Sequence, residues 1–248
     1  MTTKLKLNCD LGESFGSWKM GLDDAVMPHI DMANIACGFH AGDPDVMFNT
    51  LLLAKKYNTV IGAHPSYPDL QGFGRRSLNC SKQEITNMVV YQVSALIGMA
   101  STLGLTVEYV KPHGALYNDM MKDSAIQDAI CCAIKLLNQS GHSLKLMMLA
   151  TKDNAKHADT AAQQGVSLLF ESFADRRYTD EGTLQPRSEK GSVLDKDEIL
   201  VQVRQLLNAQ VTTATGNQLA VNSDTICVHG DNEAGVSLIA DIHKLCNS

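Results

Sequence analysis

Seven short apolar runs, most of them separated by helical patterns, constrain the fold of this chain more than any other feature. They lie at residues 4–10 (KLKLNCD), 32–37 (MANIAC), 59–63 (TVIGA), 105–110 (LTVEYV), 144–150 (LKLMMLA), 166–170 (VSLLF) and 225–228 (TICV). Runs this short, bounded by turn residues, read as buried strands. Strands that alternate with helices form a parallel sheet, because a parallel pair needs a long crossover connection. Six of the seven runs lead into ionisable residues and glycine: CDLGES, CGFHAGD, AHPSYPD, KPHGALYN, ESFADRRY and HGDNE. Open α/β sheets concentrate their chemistry at one switch point, whereas barrels build it from many strand ends. This pattern predicts an α/β protein, a closed or nearly closed barrel of about seven parallel strands, with residues 1–248 as one domain.

Helix starts are marked chemically. Ser81, with Glu84 three residues on, makes a capping box, and Ile85, Met88, Val89, Val93, Leu96, Ile97 and Ala100 follow at helical spacing up to Gly104. Asp43 before Pro44 sets an N-cap ahead of a proline at the first helical position. Asp195 and Glu198 repeat the capping box, and Asp231 is placed to cap the last helix. Residues 178–190 (YTDEGTLQPRSEK) show no periodicity, and a segment of that length is expected to be a lid or disordered.

Composition bounds the partners. With 248 residues, 44% of them hydrophobic, the chain can bury a sizeable core. A net charge of -6 and the lack of any basic run argue against nucleic acid as a partner. The N-terminal MTTKLKLNCD reaches polar residues before a signal-peptide apolar region forms, and no apolar stretch approaches the ~18 residues of a membrane span. A cytoplasmic protein with no membrane partner is therefore expected. The seven cysteines include no CxxC pair, and Cys9, Cys37 and Cys227 fall in or at the end of apolar runs, so they read as small buried hydrophobes.

Of the eight histidines, His40, His64, His113 and His229 each follow a predicted strand, and Asp10, Glu13, Asp43, Glu171, Asp175 and Asp231 share that rim. One such histidine alone reads as a hydrogen-bonded structural group. Four, with these carboxylates, provide the groups needed for acid–base catalysis or for a metal. Lys111, Arg75 and Arg176 add positive charge, and an arginine fork suits a carboxylate or phosphate. Arg76 and Arg177, the second of each doublet, read equally well as bland surface pairs. The chain has no GxxxxGK[ST], no GxGxxG after the first strand, no HExxH and no GxSxG, which argues against a self-contained P-loop ATPase. Without cysteine ligand spacing, a metal would need Asp and His from separate loops. The expectation is acid–base and charge stabilisation with no tightly bound protein metal.

The segments LNCDLGESFG, ANIACGFHAGDP, IGAHPSYPDLQGFGRR, VKPHGALYN, ESFADRRY and CVHGD, in this order across nearly the whole chain, closely resemble the LamB/YcsF family. Ser66 stands where that pattern leads to a glycine or similarly small residue. The resemblance implies an irregular (β/α) barrel with seven strands, of the glycoside hydrolase/deacetylase type. It also implies a hydrolase acting on a cyclic amide: an ATP-dependent 5-oxoprolinase in which an A subunit works with B and C partners. Such an enzyme converts 5-oxoproline, ATP (with Mg²⁺) and water into glutamate, ADP and phosphate. Placed on these residues, that chemistry assigns the base to Asp10 or Glu13, proton carriers to His64 and His113, and a charge-binding pair to Lys111 and Arg176. His40, Arg75, Glu171, Asp175, His229 and Asp231 would surround the substrate or phosphate. Two further readings use the same rim: a metal-dependent deacetylase-like hydrolase, and a non-catalytic scaffold or regulatory subunit.

Overall fold

The computed structural model describes residues 5–230 and 232–247. Each of the seven runs contains a strand: β1 (Lys6–Leu11), β2 (Met32–Ala36), β3 (Val60–His64), β4 (Val107–Val110), β5 (Lys145–Leu149), β6 (Leu168–Phe173) and, after a small hairpin of β7 (Gln210–Thr212) and β8 (Gln218–Ala220), β9 (Thr225–Val228). The seven close into a barrel in the order β1-β2-β3-β4-β5-β6-β9, with every neighbouring pair parallel. Closure falls to β9, whose Thr225 stands opposite Lys6 of β1 on one side and Glu171 of β6 on the other.

The connections carry α1 (Asp23–Val26), α2 (Pro44–Tyr57), α3 (Lys82–Thr102), α4 (Gly114–Lys122), α5 (Ser124–Gln139), α6 (Asn154–Gln163), α7 (Lys196–Leu206), α8 (Glu233–Ser237) and α9 (Ile239–Cys246). Their starts follow the chemistry of the sequence. Asp43 accepts from the Asp45 and Val46 amides with Pro44 at the first turn, and both capping boxes, Ser81 with Glu84 and Asp195 with Glu198, are formed. The last cap differs. Asn232, held in a turn by its amide's bond to the His229 carbonyl, caps α8 by accepting from Ala234 and Gly235. Asp231 lies outside the described residues.

Alternate strand residues point to opposite faces. Leu7, Cys9 and Leu11 of β1, Leu146 and Met148 of β5, and Ile226 and Val228 of β9 belong to the main apolar core, together with Leu51, Val89, Ile130, Val203 and Ile242 from the helices. The intervening positions fill the barrel interior. Met32, Tyr109 and Met147, with Val60 and Leu169, form a separate apolar plug. A Cβ on Gly62 would sit 2.1 Å from the Tyr109 ring, so the plug forces glycine on β3. The Tyr109 hydroxyl donates to Asn34 Oδ1 (2.6 Å), and Asn34 Nδ2 donates to both Asn8 Oδ1 and Asp10 Oδ1 (2.8 Å each). Asn8 Nδ2 completes the chain by donating to Thr225 Oγ1 (2.9 Å). Buried polar groups with such partners are fixed in orientation. Here they hold Asp10 at the mouth of the barrel.

Candidate active site

The C-terminal strand ends open into a cavity of about 430 Å³. Its wall includes Thr179, Leu184, Gln185 and Arg187 from the segment after β6. That segment is tied down by bonds from the Thr179 amide to the Thr183 carbonyl (2.8 Å) and from the Gln185 amide to the Arg177 carbonyl (2.9 Å), with Tyr178 fully buried beneath. Residues 178–190 therefore fold over the site as an ordered cover.

The cavity floor is charged. Lys111, two residues beyond Tyr109 on the inward face, places Nζ 2.9 Å from Asp10 Oδ1, 3.1 Å from Glu171 Oε2 and 3.1 Å from Cys227 Sγ. Burial would strip its proton, but Asp10 and Glu171 outweigh burial and hold its pKa well above the ordinary lysine value. For Asp10, burial pushes the carboxyl up, while Lys111 and His64 pull it further down, to well below the usual carboxylate range. Burial also raises the Cys227 thiol well above its normal value, so it stays protonated.

Three imidazoles and a carboxylate form one wall. His64, at the end of β3, has Nδ1 2.7 Å from the Lys111 carbonyl, and its Nε2 lies 2.9 Å from His113 Nδ1 and 3.5 Å from Asp10 Oδ2. His113 Nε2 bonds the Phe73 carbonyl at 2.8 Å. His40 stacks on His113 with centroids 3.7 Å apart, its Nδ1 3.0 Å from Ser66 Oγ. Glu13 Oε1 stands 3.5 Å from His40 Nε2 and 3.6 Å from His113 Nδ1. Gly74, at φ +65°, makes this packing possible, since a Cβ there would meet His113 Cδ2 at 2.8 Å and His40 Cβ at 2.9 Å. Burial, more than any neighbouring charge, lowers the pKa values of His40 and His113 well below the ordinary imidazole value, so both rings are neutral.

Opposite them, His229 lines the cavity with Nδ1 3.0 and 3.1 Å from the two Asp175 oxygens, and its ring stacks on Phe173 at 5.2 Å. Asn232 Nδ2 donates to Asp175 Oδ2 at 2.9 Å. Burial opposes the Asp175 charge, but His229 and these bonds hold its carboxyl below the ordinary range. With Nδ1 engaged, Nε2 is the ring nitrogen left for a ligand. Arg75, Arg176 and Arg187 also line the cavity. Arg176 spans to the carbonyls of Ser192 (3.2 Å) and Gln185 (2.6 Å), bracing the cover.

The LamB/YcsF family model matches residues 5–248. The chain belongs to the LamB/YcsF family. It is 55% identical over 244 residues to the 5-oxoprolinase A subunit of Vibrio parahaemolyticus, covering 97% of this chain and 95% of that one. It is 53% identical over 240 residues to the protein of the same name from Vibrio cholerae, covering 96% of each. Among solved structures, the lactam utilization protein of Thermus thermophilus superposes with a TM-score of 0.88 at 34% identity, covering 98% of this chain and 96% of that one.

In this LamB/YcsF barrel, Asp10, Glu13, His64, Arg75, Lys111, His113, Arg176 and His229 line one cavity. His40 lies behind His113, Glu171 beneath Lys111 and Asp175 behind His229, all three buried. Asp43 serves as the cap of α2. Arg76 and Arg177 pair with Asp69 and Glu198. Asn8, Asn34, Tyr109, Cys227 and Arg187 also belong to the site or its support, although none of them stands out among the rim residues of the sequence. A period-2 pattern of polar or bulky residues, Asn8-x-Asp10, Tyr109-x-Lys111 and Cys227-x-His229, is the signal that marks Asn8, Tyr109 and Cys227 as inward positions.

Proposed function

We propose that this chain is the A subunit of an ATP-dependent 5-oxoprolinase and that its barrel cavity is where the lactam is opened. The observation that carries this reading is a single cavity joining a charged floor, an aspartate-held imidazole and three arginines, in a chain more than half identical to proteins named as 5-oxoprolinase A subunits. An unstrained lactam is a poor electrophile. Transfer of the γ-phosphoryl group of ATP, a cosubstrate with Mg²⁺, to the lactam oxygen makes the ring carbon electrophilic. Water then adds to that carbon, the C–N bond breaks as nitrogen gains a proton, and a second water releases phosphate from the acyl phosphate to give glutamate.

Within that sequence, His229 takes the proton from water and returns one to nitrogen, with Asp175 holding the ring and supporting its positive charge. Asp10 is a weak base because Lys111 holds its carboxyl so low, and its part is electrostatic, together with Lys111 and Glu171. Arg75, Arg176 and Arg187 meet the substrate carboxylate and the phosphate. The chain has no recognisable phosphate loop, so B and C partners complete the ATP-using step. The test is product analysis with the chain alone and with its partners. Glutamate and ADP should appear together only in the assembled complex. Robust 5-oxoproline-dependent ATP hydrolysis by the isolated chain would overturn the division of labour. ATP-independent glutamate release would favour a deacetylase-like hydrolase instead.

A further inference from the structure

The wall formed by Glu13, His40, His64 and His113 carries a feature that lactam opening does not require. One ligand atom from each lies within 4.8 Å of all the others, and all four side chains are buried. The outer hydrogen bonds decide which ring nitrogens face inward. A carbonyl oxygen can only accept, so His64 Nδ1 donates to the Lys111 carbonyl and His113 Nε2 donates to the Phe73 carbonyl. The Ser66 hydroxyl spends its proton on the Tyr67 carbonyl at 2.8 Å, so its oxygen accepts from His40 Nδ1. With their outer nitrogens engaged, His40 Nε2, His64 Nε2 and His113 Nδ1 are the ring nitrogens turned inward.

Two of those inward nitrogens, His64 Nε2 and His113 Nδ1, stand 2.9 Å apart, and the third, buried His40 Nε2, makes no hydrogen bond. Two ring nitrogens this close share a positive centre between them, a proton or a metal ion. Every outer nitrogen donates to a carbonyl or hydroxyl oxygen, which is how histidines on a metal are held in orientation. We propose that Glu13, His40, His64 and His113 form a binding site for one divalent transition-metal ion, with zinc the best fit to three imidazoles and one carboxylate.

Donors 2.0–2.1 Å from a tetrahedral ion stand roughly 3.3 Å apart. The Glu13 separations of 3.5 and 3.6 Å and the His64–His113 separation of 2.9 Å bracket that value. Asp10 is a further carboxylate beside the cluster, its Oδ2 3.5 Å from His64 Nε2 and its Oδ1 engaged by Lys111. Glu13, His64 and His113 line the cavity, so the bound ion would border it, where it could meet an anionic oxygen of a ligand. The proposal does not depend on the substrate or on the partner proteins. It replaces the expectation of a metal-free site, which rests on cysteine spacing.

The test uses the untagged full chain, stripped with chelator and dialysed. Titration with Zn²⁺ by calorimetry should show one equivalent bound per chain. Co²⁺ should give the visible ligand-field bands of a low-symmetry nitrogen–oxygen site. Glu13→Gln and His40→Gln should abolish the stoichiometric uptake and the bands. Ser66→Ala, which removes the acceptor that orients His40 together with the hydroxyl's bond to the Tyr67 carbonyl, should weaken binding by about 10–100-fold. Replacing the remote His142 by Ala should change nothing. If the buried variants fail to fold, Ser66→Ala and His142→Ala still decide the matter. No stoichiometric uptake, or uptake equally insensitive to Ser66→Ala and to His142→Ala, would overturn the site.

Discussion

Removing the Lys111 ammonium leaves Asp10 and Glu171 buried without the cation between them. Breaking a buried pair from one side costs about 3–5 kcal/mol. Lys111→Met should lose stability on that scale in urea denaturation, and adding Glu171→Gln should restore part of it. Asp175 supplies a pH prediction. Its folded carboxyl titrates below the roughly 3.9 of an unfolded aspartate, so folding favours its charged form. That contribution is fully present above the unfolded value and is lost as pH falls through the folded one. Asp175→Asn should therefore flatten the acid limb of stability below about pH 4, measured as denaturation midpoint against pH. Residue type and rim position are legible in the sequence for Asp10, His64, His113 and His229. The partner of each is not, because pairing depends on which strands the barrel brings together. Lys111 shows the limit: its type marks a charge-binding cation, but its place between two carboxylates contributed by β1 and β6 is not written in the sequence.

At the level of elements, the long α3 starts where Ser81 and Glu84 satisfy each other's backbone amides. Ser81→Ala should cost about 0.5–2 kcal/mol without altering the site, since both residues are exposed and neither lines the cavity. Thermal unfolding together with an unchanged near-UV spectrum would show it. Strands and caps are readable because apolar runs and cap chemistry are local signals. The β7–β8 hairpin is not, since its three-residue strands, QVT and QLA, are too short for a periodic signal. The cap of α8 falls on Asn232, whose side chain accepts from the Ala234 and Gly235 amides, while Asp231, which the sequence offers, lies outside the described residues. Residues 178–190 lack periodicity because backbone bonds and the buried Tyr178 hold them in place.

For the whole molecule, closing the barrel draws six loaded strand ends around one opening, and this gives separate segments of the sequence a common site. Barrel closure is inferable from the number of loaded ends. The division of the opening into a charged floor, a histidine wall and an Asp175–His229 pair is not, because it depends on the inward register of each strand. The proposed activity requires the cavity to act on the lactam inside a multisubunit enzyme. Among the described residues no helix is long and apolar enough to cross a membrane. The decisive measurement is glutamate formation from 5-oxoproline and ATP by the purified complex, comparing wild-type chain with His229→Gln. The account predicts equal glutamate and ADP from the wild-type complex, and a loss of at least about 10²-fold in the variant while the fold and the assembled complex persist. Undiminished glutamate formation by the His229→Gln complex would contradict it.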